Sequence, residues 1–493
     1  MDWHGQGIAA ARAGRFGEAV ALLQRAVKKA PKDPVLHADL GLTFARMADW
    51  PAARTALLRA VELAPGNVSA RVNLANVLRQ HGDDDGARLQ LEAALKREPQ
   101  HALARFNLGN LHKDRQGWAA AEAQYLAALR ARPDHHDARH ALGNVLKEQN
   151  RIGEAIEALR HTVQQAPRPR AWHDLGNAYG AANQYDDARA AYQQALQLQP
   201  DFALSHYVLG TLDLKLGNWG SGWRGYEARF AALGQALPAS RLPRWFGEPV
   251  PATAALLIYP EQGYGDMIQF ARFLPRLRER FARVTMICPT ALLRLFAGSF
   301  PDIGFVDTIP ADEAGYTHYM PVMSLATVLG ITEAALDGAA YLKTPATAGQ
   351  ASPRRIGISW TGNPAQADNR WRSMPFEQLA PLWQLPGVRW QSLQYGAEVP
   401  STMQPMPAGD FLDTAALMMQ LELVITVCTS VAHLAGALGR PVWLLSRADA
   451  DWRWQAGRAD SPWYGSMRIY RQQQRAIWDD VLHQVVGDLQ RGT

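Results

Sequence analysis

Cysteine is nearly absent from this chain: Cys288 and Cys428 are the only two in 493 residues, each inside an apolar, strand-like stretch. Neither a disulfide framework nor a thiolate metal site is therefore suggested. No apolar run reaches the roughly 20 residues that a membrane-crossing helix needs. The start, Met1-Asp2-Trp3-His4, enters a helical pattern without the charged-then-apolar order of a secretory leader. These absences predict a cytoplasmic protein with no transmembrane segment. Charge of one sign is never concentrated, because the net +5 comes from scattered arginines and not from a run. Nucleic acid is therefore not an indicated partner, and the small basic excess suits an anionic small molecule. Disorder is excluded by 47% hydrophobic and 20% charged residues in an ordered pattern, which leaves room for two or three cored domains.

What the chain does have is a period. Pro31, Pro65, Pro99, Pro133 and Pro167 recur every 34 residues, and Pro200 follows after 33. That is the tetratricopeptide spacing. A small residue stands 24 positions before each proline (Gly7, Gly41, Ala75, Gly109, Gly143, Gly176), and an alanine 12 before it, from Ala19 to Ala188. These are the sites where two antiparallel helices press together. The reading is an α solenoid over residues 1–232, with a divergent seventh unit at 201–230 that caps it against the next domain. Asn76, Asn110, Asn144 and Asn177 follow the small residue in successive units. A row of carboxamides on a concave face is suited to the backbone of an extended peptide; asparagine is equally an ordinary solvent-facing choice there.

After a linker at 233–252 the period changes. Apolar runs at 254–259, 284–288 and 303–306 alternate with helical stretches, the first of them 267–280. The alternation restarts after a break near 345–353, with strand-like 355–360, 388–393, 423–427 and 441–445. The pattern predicts α/β architecture in two Rossmann-like lobes, at 253–348 and 349–493, with ligands at the carboxyl ends of the strands, and two such lobes in succession resemble the GT-B type.

Four segments carry a family resemblance: Glu261-Gln262-Gly263-Tyr264-Gly265-Asp266-Met267-Ile268-Gln269-Phe270-Ala271-Arg272, Asp368-Asn369-Arg370-Trp371-Arg372-Ser373-Met374-Pro375, the stretch Val424 to Gly436, and Asp451-Trp452-Arg453-Trp454 with Ser461-Pro462-Trp463-Tyr464. In order and combination they resemble the bacterial tetratricopeptide proteins whose C-terminal half is a heptosyltransferase-like glycosyltransferase. The resemblance implies transfer of a sugar from a nucleotide-sugar donor to an acceptor recruited by the repeats. That acceptor is a protein such as flagellin in some relatives; a lipid-linked or polysaccharide acceptor and a non-catalytic scaffold are the alternatives.

Direct displacement at a sugar needs a base for the acceptor proton and cationic or backbone donors for the leaving diphosphate, with no metal or cofactor if those donors suffice. Asp266 matches the acidic residue implied as base and stands in a glycine-rich turn, where Gly263 and Gly265 are expected beside the donor; a helix-capping role is its alternative. Glu261 is a second carboxylate of the turn. The turn Thr361-Gly362-Asn363 offers backbone amides to phosphate. Arg370 and Arg372, with Ser373 beside them, are spaced to reach the same pocket, unless they are a solvated charge run. Thr429, Ser430 and His433 open a helix whose free amides and dipole suit an anion. Cys428 departs from the family, many members of which carry aspartate there, and this puts turnover in question. Trp443, Trp452, Trp454 and Trp463 serve either as a stacking surface or as packing between lobes. A closing helix at 476–489 is expected to cross back to the first lobe.

Overall fold

The computed structural model describes residues 2–310, 313, 315–345, 352–366 and 369–491. The lobe boundary expected at 348/349 and Asp368 lie outside the described residues. Two compact units divide the chain, Met1–Ala191 and Tyr192–Thr493.

The first unit is a run of helical hairpins: Trp3–Arg12 with Phe16–Lys29, Pro34–Arg46 with Trp50–Leu63, Val68–Gln80 with Asp84–Arg97, Ala102–Asp114 with Trp118–Ala131, and His136–Glu148 with Ile152–Gln165. Pro169–Ala181 and Tyr185–Leu198 complete the series, and the division between units falls inside the latter. Every second helix stops two residues before its proline, which cannot donate to a continuing ladder. Side chains of Asp33, Asp49, Asn67 and Asp83 accept first-turn amides and start the next helices. Spacing becomes packing through the small residues. A Cβ on Gly143 would sit 2.6 Å from Leu159, and one on Gly109 2.6 Å from Tyr125. Ala53, Ala87, Ala121 and Ala155 are wholly buried opposite.

The asparagine row is only partly free to meet a peptide. Asn110 Oδ1 accepts the Tyr125 hydroxyl at 2.8 Å, and Asn144 Nδ2 donates to Asp174 at 3.0 Å. Asn177 is partnered too, and Asn76 is half-buried. The reason is local: a carboxamide beside the helix-packing glycine lies within reach of the facing helix. Asp174 also takes His140 at 2.8 Å and Arg170 at 3.1 Å. Burial alone would raise its pKa, but these partners hold the carboxyl far below the usual range.

The second unit opens with the divergent helical unit, α1 (Ala203–Lys215), α2 (Trp219–Tyr226) and the single turn α3 (Arg229–Ala232). Gly210 meets Gly225 backbone to backbone, where an added Cβ would come within 2.6 Å. This unit packs into the α/β part: Trp223 lies edge-on to Phe270, Trp452 and Trp463. Its indole donates to the Ile331 carbonyl at 2.8 Å.

Two parallel sheets follow. β1 (Ala255–Tyr259), β2 (Arg283–Ile287), β3 (Gly304–Val306) and β4 (His318–Pro321) lie in the order β3-β2-β1-β4. β5 (Ser352–Ser359), β6 (Arg389–Ser392), β7 (Leu421–Val427), β8 (Val442–Ser446) and β9 (Met467–Arg471) lie in the order β6-β5-β7-β8-β9. β1 and β8 are buried along their whole length, as strands covered on both faces must be. β4 and the edge strand β9 escaped the apolar-run reading because His318, Arg468 and Arg471 interrupt their apolar residues.

The helix expected at 267–280 is shorter. It runs as α4 (Tyr264–Ala271), and a separate turn, Leu274–Leu277, restarts around Pro275. The later helices of eight residues or more are α5 (Thr290–Ser299), α6 (Phe411–Met419), α7 (Ser430–Ala437) and α8 (Asp479–Arg491), and the single turn Asn369–Arg372 carries Arg370 and Arg372. α8 does not cross back to the first sheet. Its Val481, Leu482 and Val485 are buried with Ile356, Leu382 and Trp443 beside the second sheet. Residues of both sheets, α4, α7 and α2 share a single apolar core.

Candidate active site

An open parallel sheet offers a crevice where its strand order reverses, outside the carboxyl ends of the two strands concerned. In the second sheet this point lies between β5 and β7. β5 leads into Thr361-Gly362 and β7 into Cys428-Thr429. In the first sheet it lies between β1 and β4, so the crevice is walled by the turn 261–266 and by Met323-Ser324. Each crevice has one wall from a segment that carried the family resemblance, the turn 261–266 in the first sheet and Cys428-Thr429 in the second.

Asp266 is the third residue of α4, and its Oδ2 accepts the Gly263 amide at 3.0 Å, so it does cap the helix. Capping uses one oxygen. The other is paired with the guanidinium of Arg453, from the loop after β8. Each carboxylate oxygen accepts in two directions, so neither partner removes its capacity to take a proton. Arg453 is buried and divides its donors further, Nε to Gln269 at 3.0 Å and Nη1 to Asp451 at 2.9 Å. Burial opposes its charge, but Asp451 and Asp266 outweigh that and hold its pKa well above the ordinary arginine value. Glu261 is not the ordinary polar residue its place in the turn suggests: its side chain is 6% exposed and takes both Nε and Nη2 of Arg229.

α4 and α7 meet at their amino ends. A Cβ on Gly265 would stand 2.8 Å from the His433 ring and 3.5 Å from the Ser430 Cα. Thr429 caps α7 by accepting the Val431 amide at 3.3 Å, and Ser430 is its first residue. The amino end of α7 therefore remains where an anion is expected, beside the turn that bears Asp266. His433 differs from expectation. Its Nδ1 bonds the Tyr464 hydroxyl at 2.9 Å, and its ring stacks on Trp454 at 5.1 Å. Burial pushes its pKa down to about 3. It is a buried, neutral residue between the two helices, fixed by its Nδ1 and its ring face, with Nε2 towards the Gly265 turn.

The wall at Thr361 is also more occupied than the sequence suggested. The Thr361 amide donates to Gln394 at 3.1 Å and the Gly362 amide to Ser373 at 3.1 Å. Asn363 is exposed and accepts the Ala365 amide at 3.0 Å, closing its own turn. Arg370 is exposed and lies 4.5 Å over the Trp371 ring. Arg372 fits better: it bonds Asn369 and Gln366, and its charge acts on the Cys428 thiol. That thiol accepts the Trp454 indole N–H at 3.0 Å and is pushed up in pKa by burial. Trp443, Trp452, Trp454 and Trp463 are all buried and serve packing. Tyr264, 44% exposed and 5.0 Å from Phe411, presents an open aromatic ring in the first turn of α4.

Arg453, Gln394, Arg229 and Tyr226 were missed as site residues. The only sequence signal was the placement of Arg453 inside a recognised segment and of Arg229 and Tyr226 in the aromatic-rich seventh unit. The contact between Gly265 and His433 gives a direct expectation. Gly265→Ala drives a methyl into a ring that Tyr464 and Trp454 prevent from yielding, at a cost of about 1–3 kcal/mol. A lowered melting temperature together with weakened anion binding is the expected result; a native melting curve would show that the helices do not meet there.

Known proteins bear on both parts. The tetratricopeptide repeat family matches residues 3–34, 38–100, 85–114 and 106–168, and a second tetratricopeptide repeat family matches 169–202. Residues 3–202 are tetratricopeptide repeats. Protein FlbA of Caulobacter vibrioides is 25% identical over 420 aligned residues, 69% of this chain and 70% of that protein. That share exceeds the repeat array, so the likeness continues into the α/β part. The human protein O-mannosyl-transferase TMTC1 is 40% identical over 67 residues, 13% of this chain and 8% of that protein. Among solved structures, the Cut9-Hcn1 hetero-tetramer of the APC/C aligns with 18% identity, TM-score 0.42, over 47% of this chain and 46% of that one. A tetratricopeptide repeat protein from Parabacteroides merdae aligns with 16% identity, TM-score 0.40, over 48% and 93%. Among the described residues, no helix is long and apolar enough to cross a membrane.

Proposed function

We propose that this chain is a glycosyltransferase that takes a sugar from a nucleotide-sugar donor and passes it to an acceptor held by the repeat array, a protein chain in the simplest case. One observation carries the reading: the turn bearing Asp266 and the amino end of α7 meet at the carboxyl ends of two parallel sheets. A carboxylate on one side and a helix dipole with hydroxyl-bearing residues on the other are what sugar displacement from a diphosphate requires. Asp266 takes the acceptor proton. Thr429, Ser430 and Arg372 receive the leaving diphosphate, with Gly263 and Gly265 allowing close approach. Tyr264 offers a ring on which a sugar face stacks. The match to a human protein named as an O-mannosyl-transferase agrees with glycosyl transfer, but its 67 residues are about two repeats long and leave the chemistry to the α/β part.

A second reading has support of its own. Arg453 occupies one oxygen of Asp266, and Cys428 brings an uncharged thiol to the strand end. A nucleotide-binding scaffold without turnover would tolerate both. Binding separates donor recognition from its absence. Thermal shift with UDP, GDP, ADP and CMP is expected to select one nucleotide. At a hundredfold excess over Kd the stabilisation is about 2.7 kcal/mol, and Arg372→Ala is expected to remove most of it. If none of the four raises the melting temperature, donor binding is wrong. Binding followed by no transfer with any matching nucleotide sugar would favour the scaffold.

A further inference from the structure

The crevice of the first sheet, between the carboxyl ends of β1 and β4, is the place where an open α/β sheet would ordinarily receive a ligand. Here it is filled by the chain itself. Arg229, from α3 of the divergent helical unit, is completely buried there. Its Nε and Nη2 grip both oxygens of Glu261 at 2.7 and 2.9 Å, Nη1 reaches Glu227 at 3.1 Å, and Nη2 also meets Ser324 at 2.8 Å. Glu261 is held from the other wall by the Met323 amide at 2.9 Å. The next residue, Gln262, has a left-handed backbone, φ 55°, and donates its carboxamide to the Tyr226 hydroxyl at 2.9 Å. Gly263 follows, and its amide holds Asp266. Every residue from 261 to 263 is therefore tied either to the helical unit or to the carboxylate that unit leads to.

We infer that this helical unit is a positioning element of the reaction centre: Tyr226 and Arg229 fix the turn 261–266 and with it the place of Asp266. The inference rests on Asp266 being the base, as proposed above. A purely structural role predicts less. Glue between a helical cap and a sheet needs the apolar packing of Trp223 and the Arg229–Glu261 pair; it has no use for a strained residue such as Gln262 whose side chain is aimed at one hydroxyl. A left-handed non-glycine residue persists only where its surroundings impose it. The α/β part would accordingly not keep its reaction geometry if α1–α3 were removed with the repeats.

Arg229→Met would take the cation from the buried Glu261 carboxylate, so the test uses milder changes on the full chain. Tyr226→Phe removes one oxygen, and Gln262→Gly removes the carboxamide while suiting the left-handed backbone better. Amide hydrogen exchange is measured over 262–267 for both variants and their double. Exchange there is expected to rise several-fold in each single variant, with no further rise in the double, because both break the same contact. With a transferable sugar, kcat is expected to fall about tenfold with the KM for the donor unchanged, the mark of a misplaced reacting group. Native exchange over 262–267 in both variants would overturn the inference, and so would faster exchange with native kcat. Should the native chain transfer no sugar at all, the transferase reading falls, while exchange still decides whether Tyr226 and Gln262 hold the turn.

Discussion

Asp266→Asn is expected to lower sugar transfer by a factor of about 10²–10⁴, the usual contribution of a general base, while nucleotide binding stays within about twofold of native. The two expectations separate because the residues involved sit on different sheets. Donor binding is assigned to Arg372 and to the amino end of α7, with Thr429 and Ser430, none of which depends on the charge at 266. Proton acceptance is assigned to the carboxylate alone, and a carboxamide cannot take it. The carboxamide oxygen of the variant can still accept either the Gly263 amide or Arg453, but a single oxygen cannot occupy both places at once. Some loss of stability therefore accompanies the change, roughly the 1–3 kcal/mol of one displaced hydrogen bond to a charged group. The measurement is a rate at saturating donor together with a nucleotide titration of the same protein. A variant that transfers at the native rate would reduce Asp266 to the cap that its bond with Gly263 already makes it. Loss of nucleotide binding in parallel with rate would also defeat the assignment, since it would place the carboxylate in donor recognition.

How much of this was legible in the sequence follows from the distance between partners. Gly143 and Leu159 are sixteen residues apart and recur in phase with the prolines, so the repeat hairpins were readable from the period alone. β1 was readable because burial on both faces leaves an unbroken apolar run; β9 was not, because an edge strand carries Arg468 and Arg471 without penalty. Asp266 was readable from its turn. Its ion pair was not, since Arg453 lies 187 residues further on and only the fold brings it back. His433 shows the same limit in another form. The sequence places it at the start of a helix after a strand, but Tyr464 and Trp454 decide which way its ring faces. Glu261 was misread for the same reason: a carboxylate in a turn is ordinary until Arg229, 32 residues earlier, is buried against it. Local pattern thus gave the scaffold and the catalytic candidate, and long-range charge pairing gave their constraints.

Arg453→Met carries the largest expected loss of stability in the second unit. The guanidinium is 7% exposed and serves Asp266, Asp451 and Gln269 together, so an apolar replacement leaves two carboxylates facing each other with no cation between them. Removing one partner of a buried charge pair costs about 3–5 kcal/mol, which at roughly 2–4 °C per kcal/mol for a domain of some 150–250 residues is a drop on the order of 10 °C. Lysine is expected to restore only part of this, because a point charge cannot reproduce three donors aimed in fixed directions. The informative comparison is the triple variant Asp266→Asn, Asp451→Asn, Arg453→Met. Neutralising all three removes the unpaired charges, so its melting temperature is expected to recover towards native even though transfer stays lost. Melting curves of the single and triple variants decide the matter. An Arg453→Met protein that melts within about a degree of native would mean that the ion pair is not closed in solution, leaving Asp266 free of Arg453 from the start. A triple variant no more stable than the single would mean instead that Arg453 supports the fold through its stacking on Trp452, 4.2 Å away, and that the carboxylates are incidental to it.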